Sequence, residues 1–181
     1  MTRTAFAAAA AALALVALGA AAPAPAMAQS SQSATGNGSI TVIRPVGVTK
    51  TADLKFGTVV RPGSGSGTVA ISAAGARSVT GGVVGLNSGD APQAAEFTVA
   101  GEGGQSVSVS IPATFIMANG VENLTVTTSN NLSGAAAAQA LSGSLGSAGS
   151  LNVRVGGSTA VPATAATGVY TGTFTVSAAY N

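Results

Sequence analysis

The sequence contains no cysteine, no histidine and no tryptophan. Without a thiol or an imidazole, Ser-His-Asp and Cys-His catalysis are excluded, and so is every metal site built from Cys or His. Charge is nearly as scarce, with seven Lys and Arg and five Asp and Glu among 181 residues. That balance excludes an acidic tail, a basic nucleic-acid arm and an electrostatic funnel. No disulfide framework can form, so stability has to come from one core and its strand ladders. An outer-membrane barrel needs an aromatic girdle at each interface, and the aromatics beyond Phe6 are too few to supply both.

What is plentiful is Ala, Gly, Ser, Thr and Val. The first 28 residues have the order of an export signal: Arg3, an uncharged apolar run from Ala5 to Ala22, then Ala26-Met27-Ala28 as an A-x-A cleavage site. The expectation is a mature chain beginning at Gln29, with no integral membrane span after cleavage, exported to the periplasm, the cell surface or the medium. Residues 29–38 are small and polar and read as a flexible leader, and 39–181 as a single domain.

Beyond the leader the apolar residues are dominated by Val and alternate with polar ones, the pattern of half-buried strands. Val107, Val109 and Ile111 alternate with Ser106, Ser108 and Ser110, and Leu151, Val153 and Val155 alternate with Asn152 and Arg154. Further strands are expected at Ile40–Ile43, Leu54–Val60, Thr68–Ile71, Arg77–Thr80, Glu96–Val99, Leu124–Thr128 and Val169–Tyr180. Turn signals punctuate them: Arg61–Gly67, Gly81-Gly82, Asn87–Asp90, Gly101–Gly104, Asn119-Gly120 and Gly156-Gly157. Many short strands at this spacing predict an all-β antiparallel sandwich. Ala135–Leu141, between Gly134 and Gly143, is the one helix candidate, a turn or short helix crossing the end of the sandwich.

Few residues offer chemistry. Gly63–Gly67 lacks the Lys-Ser/Thr and the helix of a phosphate cradle and reads as a hairpin loop. Asp53, Asp90, Glu96, Glu102 and Glu122 are scattered, so neither a paired-carboxylate site nor a calcium loop is visible. Arg44, Lys50, Lys55, Arg61, Arg77 and Arg154 are equally dispersed, with little aromatic company, which leaves nucleic-acid binding unsupported. No catalytic residue, cofactor or metal is expected, and the chain is read as a non-enzyme.

The C-terminal segment is the most informative. From Gly168 the chain alternates over a dozen residues, placing Tyr170, Phe174, Val176, Ala178 and Tyr180 on one face. It is either a closing core strand or an edge that pairs with another protein by strand addition, and Gly168, Tyr170, Phe174, Val176 and Tyr180 are the candidate strand-pairing residues.

Gly168, the alternation and the penultimate Tyr180 resemble the chaperone-recognition end of fimbrial subunits from chaperone-usher systems. More of the chain, through Val48–Thr58, Gly75–Val83, Glu96–Gly101, Val155–Gly157 and Gly168–Asn181, resembles a family of small exported bacterial proteins catalogued as domain of unknown function 4402. Leu54-Lys55-Phe56-Gly57 is similar to an element of spore-coat-U-type pilins, although those pilins usually carry cysteines. The resemblance implies an exported, non-enzymatic, immunoglobulin-like β-sandwich of Greek-key type.

The function expected is that of a structural or surface-associated protein, fimbrial-subunit-like, whose partners are further copies of itself or a periplasmic chaperone reached by strand addition. The alternative is a self-contained secreted binding module for a surface or glycan ligand. Ser39–Ile43 separates two forms of the first. The segment is either the first strand of its own sandwich, which is the form favoured, or a strand that swings out to complete another subunit. Pro45 interrupts the ladder behind it, because proline has no amide hydrogen to donate.

Overall fold

The computed structural model describes residues 31–133 and 138–181. The expected export signal, Met1–Ala28, lies outside the described residues. Residues 31–39 are irregular and exposed, and Ile40–Asn181 forms one compact unit. Its described residues contain twelve strands and no helix, and none of them forms a helix long and apolar enough to cross a membrane. The strands are β1 (Gly47–Ala52), β2 (Val59–Val60), β3 (Ser66–Ile71), β4 (Arg77–Thr80), β5 (Val84–Gly85) and β6 (Ala95–Glu102), followed by β7 (Ser106–Ser110), β8 (Thr114–Ala118), β9 (Asn123–Asn130), β10 (Gln139–Ala140), β11 (Ala148–Pro162) and β12 (Ser177–Tyr180).

Alternation decides which elements form. In β3 Gly67 is buried and the side chains of Val69 and Ile71 point inward, and in β7 Val107 and Val109 do so between exposed or half-exposed serines. All pairings are antiparallel. A seven-stranded sheet runs β1-β6-β11-β3-β4, with β9 on the other edge of β11 and β8 beside β9. A second sheet, β10-β7-β12, covers part of it, and β2 pairs with β5. The sheets curl into a half-barrel, so the expectation of an all-β antiparallel sandwich holds.

The 15-residue β11 organises the sheet. Ala148–Val155 pairs with β6 and Gly157–Pro162 with β3, while Val155–Thr159 also pairs with β9. Gly156-Gly157 therefore lies inside a strand, not at the turn expected there. The glycines serve a close approach: a Cβ on Gly156 would collide with the Ile71 carbonyl, and one on Gly157 would come 2.7 Å from Val126 Cγ1.

Other expectations change as well. Ile40–Ile43 is not a strand, and the first ladder begins only beyond Pro45, at Gly47. Leu54–Val60 is not continuous. Lys55 bridges Gln93, Gly57 turns the chain at φ 70°, and only Val59–Val60 pairs again. Arg77 fixes that bend by donating to the carbonyls of Phe56, Thr58 and Leu86. Of the helix candidate, residues 135–137 lie outside the described residues, while Gln139–Ala140 is β10, paired with β7. The dozen-residue C-terminal strand shortens to β12 because Gly172 packs directly on the Ile116 carbonyl and Phe174 turns inward. Strands β1, β5 and β8 lie outside the strands expected from the sequence.

The core has two parts. Val99, Val107, Val153 and Val155, all fully buried, centre the first beneath β10-β7-β12, together with Phe97, Leu141 and Val176. Val69, Val83, Val161 and Ala165 make the second and smaller one.

Candidate functional site

Where the second sheet ends, the half-barrel stays open. Past the edge of the β10-β7-β12 sheet, none of its strands among the described residues lies over β3 and the end of β11, and a cavity of about 840 Å³ results. Its floor includes Val69, Ala95, Leu124 and Val161, which come from four different strands. One wall carries Leu54 and Phe56 and the other Phe115, Met117 and Phe174. Phe174 holds the second wall in place, with its ring 4.9 Å from that of Phe115 and 5.8 Å, edge-on, from that of Phe97.

Four of the charges at the mouth form two ion pairs. Lys50 Nζ lies 2.6 Å from Asp53 Oδ1, and Lys55 Nζ 3.1 Å from Asp90 Oδ2. Lys50 holds the exposed Asp53 carboxyl below its ordinary range, by hydrogen bond first and by charge second. Arg61 donates to the Ala165 carbonyl. Deeper in the wall, Glu122 accepts the Ala166 amide at 2.8 Å, and the Tyr170 hydroxyl sits 2.8 Å from the Ala166 carbonyl and 3.2 Å from Glu122 Oε2. Burial, then the neighbouring Glu122 charge, pushes the Tyr170 hydroxyl above its usual range. It stays protonated, a tie between residues 166 and 170 and not a base.

A second polar cluster lies at the other end of β1. Glu102 is 3% exposed. It accepts the Gly146 amide on Oε1, and the Arg44 amide (3.3 Å) and guanidinium (3.1 Å) on Oε2. The Tyr180 hydroxyl accepts the Glu102 amide at 2.7 Å and donates to the Arg44 carbonyl at 2.8 Å. The Gly146 amide chiefly, and Arg44 in addition, hold the Glu102 carboxyl below its ordinary range against the opposing effect of burial. Residues 44, 102, 146 and 180 thus form one clasp joining the first and last residues of the fold.

The five C-terminal candidates are distributed between these sites. Gly168 stands at φ 145° beside Asn119, Tyr170 and Phe174 line the cavity, Val176 is buried in the main core, and Tyr180 closes the clasp. They do not share one strand face, since only Tyr180 belongs to β12, where it pairs with Val107 of the same chain. The wall residues Phe115 and Met117 escaped sequence reading because β8 has no apolar-polar alternation to betray it. Glu102, flanked by Gly101 and Gly103, looked like a solvated turn acid, and nothing in its local sequence points to Arg44. Among the described residues no three Asp or Glu side chains converge as a metal cluster would require.

Fold and site together define a small all-β half-barrel domain with an apolar groove along its open side. The chain belongs to the family described as domain of unknown function (DUF4402), whose model matches residues 46–180. No curated protein and no solved structure matches it.

Proposed function

We propose that the protein is an exported, non-enzymatic structural subunit of fimbria-like kind, working at or beyond the cell envelope through β-strand contacts with further copies or with an assembly chaperone. The open apolar groove carries this proposal. A half-barrel that leaves the space over β3 and β11 unfilled keeps apolar surface for something else to cover, and an added strand covers it while satisfying backbone donors and acceptors. The export signal read in residues 1–28 and the near absence of charge support it further. The test is fractionation of cells expressing the full chain, with intact-mass measurement and sedimentation of the exported form. A product beginning at Gln29 that sediments as multimers is expected. A full-length species kept inside the cell overturns the proposal.

The volume of the groove favours a second reading. At about 840 Å³ it falls within the size of ligand pockets, as a self-contained binding module for a surface or glycan ligand requires. Saturable binding on a glycan array by a strictly monomeric protein distinguishes this from assembly.

A further inference from the structure

The groove offers much apolar surface and little spare hydrogen-bonding capacity. Its floor and walls present Val69, Leu124, Val161, Phe56, Phe115 and Phe174. The polar side chains set among them are engaged within the chain: Thr159 donates to the Thr125 carbonyl at 2.9 Å, and the Tyr170 hydroxyl to the Ala166 carbonyl at 2.8 Å. The other lining threonines, Thr58, Thr167, Thr171 and Thr173, are exposed. Among the described residues no buried side-chain nitrogen or oxygen lacks a hydrogen-bond partner, so none waits for a ligand. A sugar needs several convergent polar groups for its hydroxyls, and a hydrocarbon chain needs none.

One charge is left over. Of the five charged residues that line the groove, Lys50 pairs with Asp53 and Lys55 with Asp90, while among the described residues Arg61 has no ion-pair partner. Its guanidinium gives one donor to the Ala165 carbonyl and keeps the rest of its fork. Glu122 accepts the Ala166 amide and the Tyr170 hydroxyl and does not line the groove. Ala165 packs with Val161, which puts Arg61 at that end of the floor. At the other end Lys55 bridges Gln93, two residues before Ala95, and Ala95 pairs with Val155 of β11. Val155 and Val161 stand six residues apart on β11, about 20 Å at roughly 3.3 Å per residue. A long apolar trough with one unpaired cation at its end is the complement of a long chain with one anion at its end.

We infer that the groove binds a long-chain fatty carboxylate, its hydrocarbon chain laid along the floor from Val161 towards Ala95 and its carboxylate on the Arg61 guanidinium. The inference rests on the binding-module reading above for the groove as a ligand site, and names an amphiphile as the ligand. Arginine suits the head, because its planar fork meets both carboxylate oxygens at once. Arg61 is exposed, so the carboxylate is held at the rim without leaving water. Met117 beside the rings suits the tail, since an unbranched thioether adapts to an apolar chain.

The chain has no tryptophan, which makes the position of a ligand readable. The purified protein, stripped of bound lipid, is given a single one by Thr173→Trp on the groove rim or by Asn152→Trp, an exposed position of β11 outside the groove. Brominated hexadecanoate should quench the first and not the second, saturating at one molecule per chain. In calorimetry on the protein without either substitution, affinity should climb about three- to fourfold per methylene from decanoate to tetradecanoate. Hexadecanoate should bind about tenfold more tightly than hexadecanol. Arg61→Gln should abolish that preference and leave hexadecanol binding unchanged, which a merely destabilised variant would not do. Equal quenching at both positions, affinity independent of chain length, equal affinity for acid and alcohol, or a preference that survives Arg61→Gln overturns the inference. Binding to phosphatidylglycerol vesicles without binding of free hexadecanoate overturns it in favour of a lipid surface. Saturable binding on the glycan array with no response to hexadecanoate overturns the ligand and leaves the binding module standing, whereas a protein that answers to neither overturns both.

Discussion

The two ends of the half-barrel are built from the same strands and finished differently. Over β6 and the first half of β11, the β10-β7-β12 sheet seals the core, and Val99, Val107, Val153 and Val155 lose all contact with water. Over β3 and the second half of β11 lie only the short β2-β5 pair, with Phe56, Val59 and Val83 packed on Val69 and Val161, and the irregular stretch from Ala163 to Val176, and the groove stays open. Composition does not explain the contrast, since Val and Ala line both halves. A sandwich is closed by ladder pairing in its second layer, and where a second-layer strand is missing, apolar residues cannot seal the gap alone.

The largest test of that contrast lies at their junction. Gly156→Val should prevent folding altogether, at more than about 3 kcal/mol, because the side chain meets the Ile71 backbone and nothing nearby can give way. Circular dichroism and solubility of the expressed chain check it. Next, Phe97→Ala in the sealed half should cost about 3–5 kcal/mol in urea unfolding, and Met117→Ala on the half-buried groove wall no more than about half as much. Equal losses would mean that the groove is as closed as the core.

A smaller effect depends on pH. The Glu102 carboxyl lies below its ordinary value of 4.5 in the folded chain, so its contribution to stability is complete above that value and lost as pH falls through the lower folded one. The melting temperature should therefore drop on acidification below about pH 4.5, and Glu102→Gln should be less stable at neutral pH with a shallower acid limb. Smallest of all, Lys50→Ala removes one member of an exposed pair and should leave the melting temperature unchanged.

How much of this was legible in the sequence follows from which forces are local. Strands with clean alternation, such as Arg77–Thr80 and Leu124–Thr128, were legible, because burial of one face is written at every second residue. Strand β8 was not, since Thr114-Phe115-Ile116-Met117-Ala118 is apolar on both faces: Phe115 lines the groove and Ile116 remains exposed. Ile40–Ile43 has strand character that the domain does not use, which local pattern cannot distinguish from a core strand. The C-terminal alternation was real at Phe174, Val176 and Tyr180, but Gly172 and a single bridge at Thr171 divide it between groove, core and clasp. The clasp was invisible, because Arg44, Glu102 and Tyr180 are brought together only by the register of β1 on β6 and of β12 on β7.

That clasp has a mechanical consequence. A pull applied through residues 31–43 is first resisted at Arg44, where the amide and guanidinium bonds to Glu102 and the carbonyl bond from Tyr180 take the tension. They bear it together, since Tyr180 grips Arg44 and Glu102 with the same hydroxyl, and the β1 ladder is loaded only after they give way. Because Tyr180 belongs to β12, part of the load passes directly into the second sheet and the closed core.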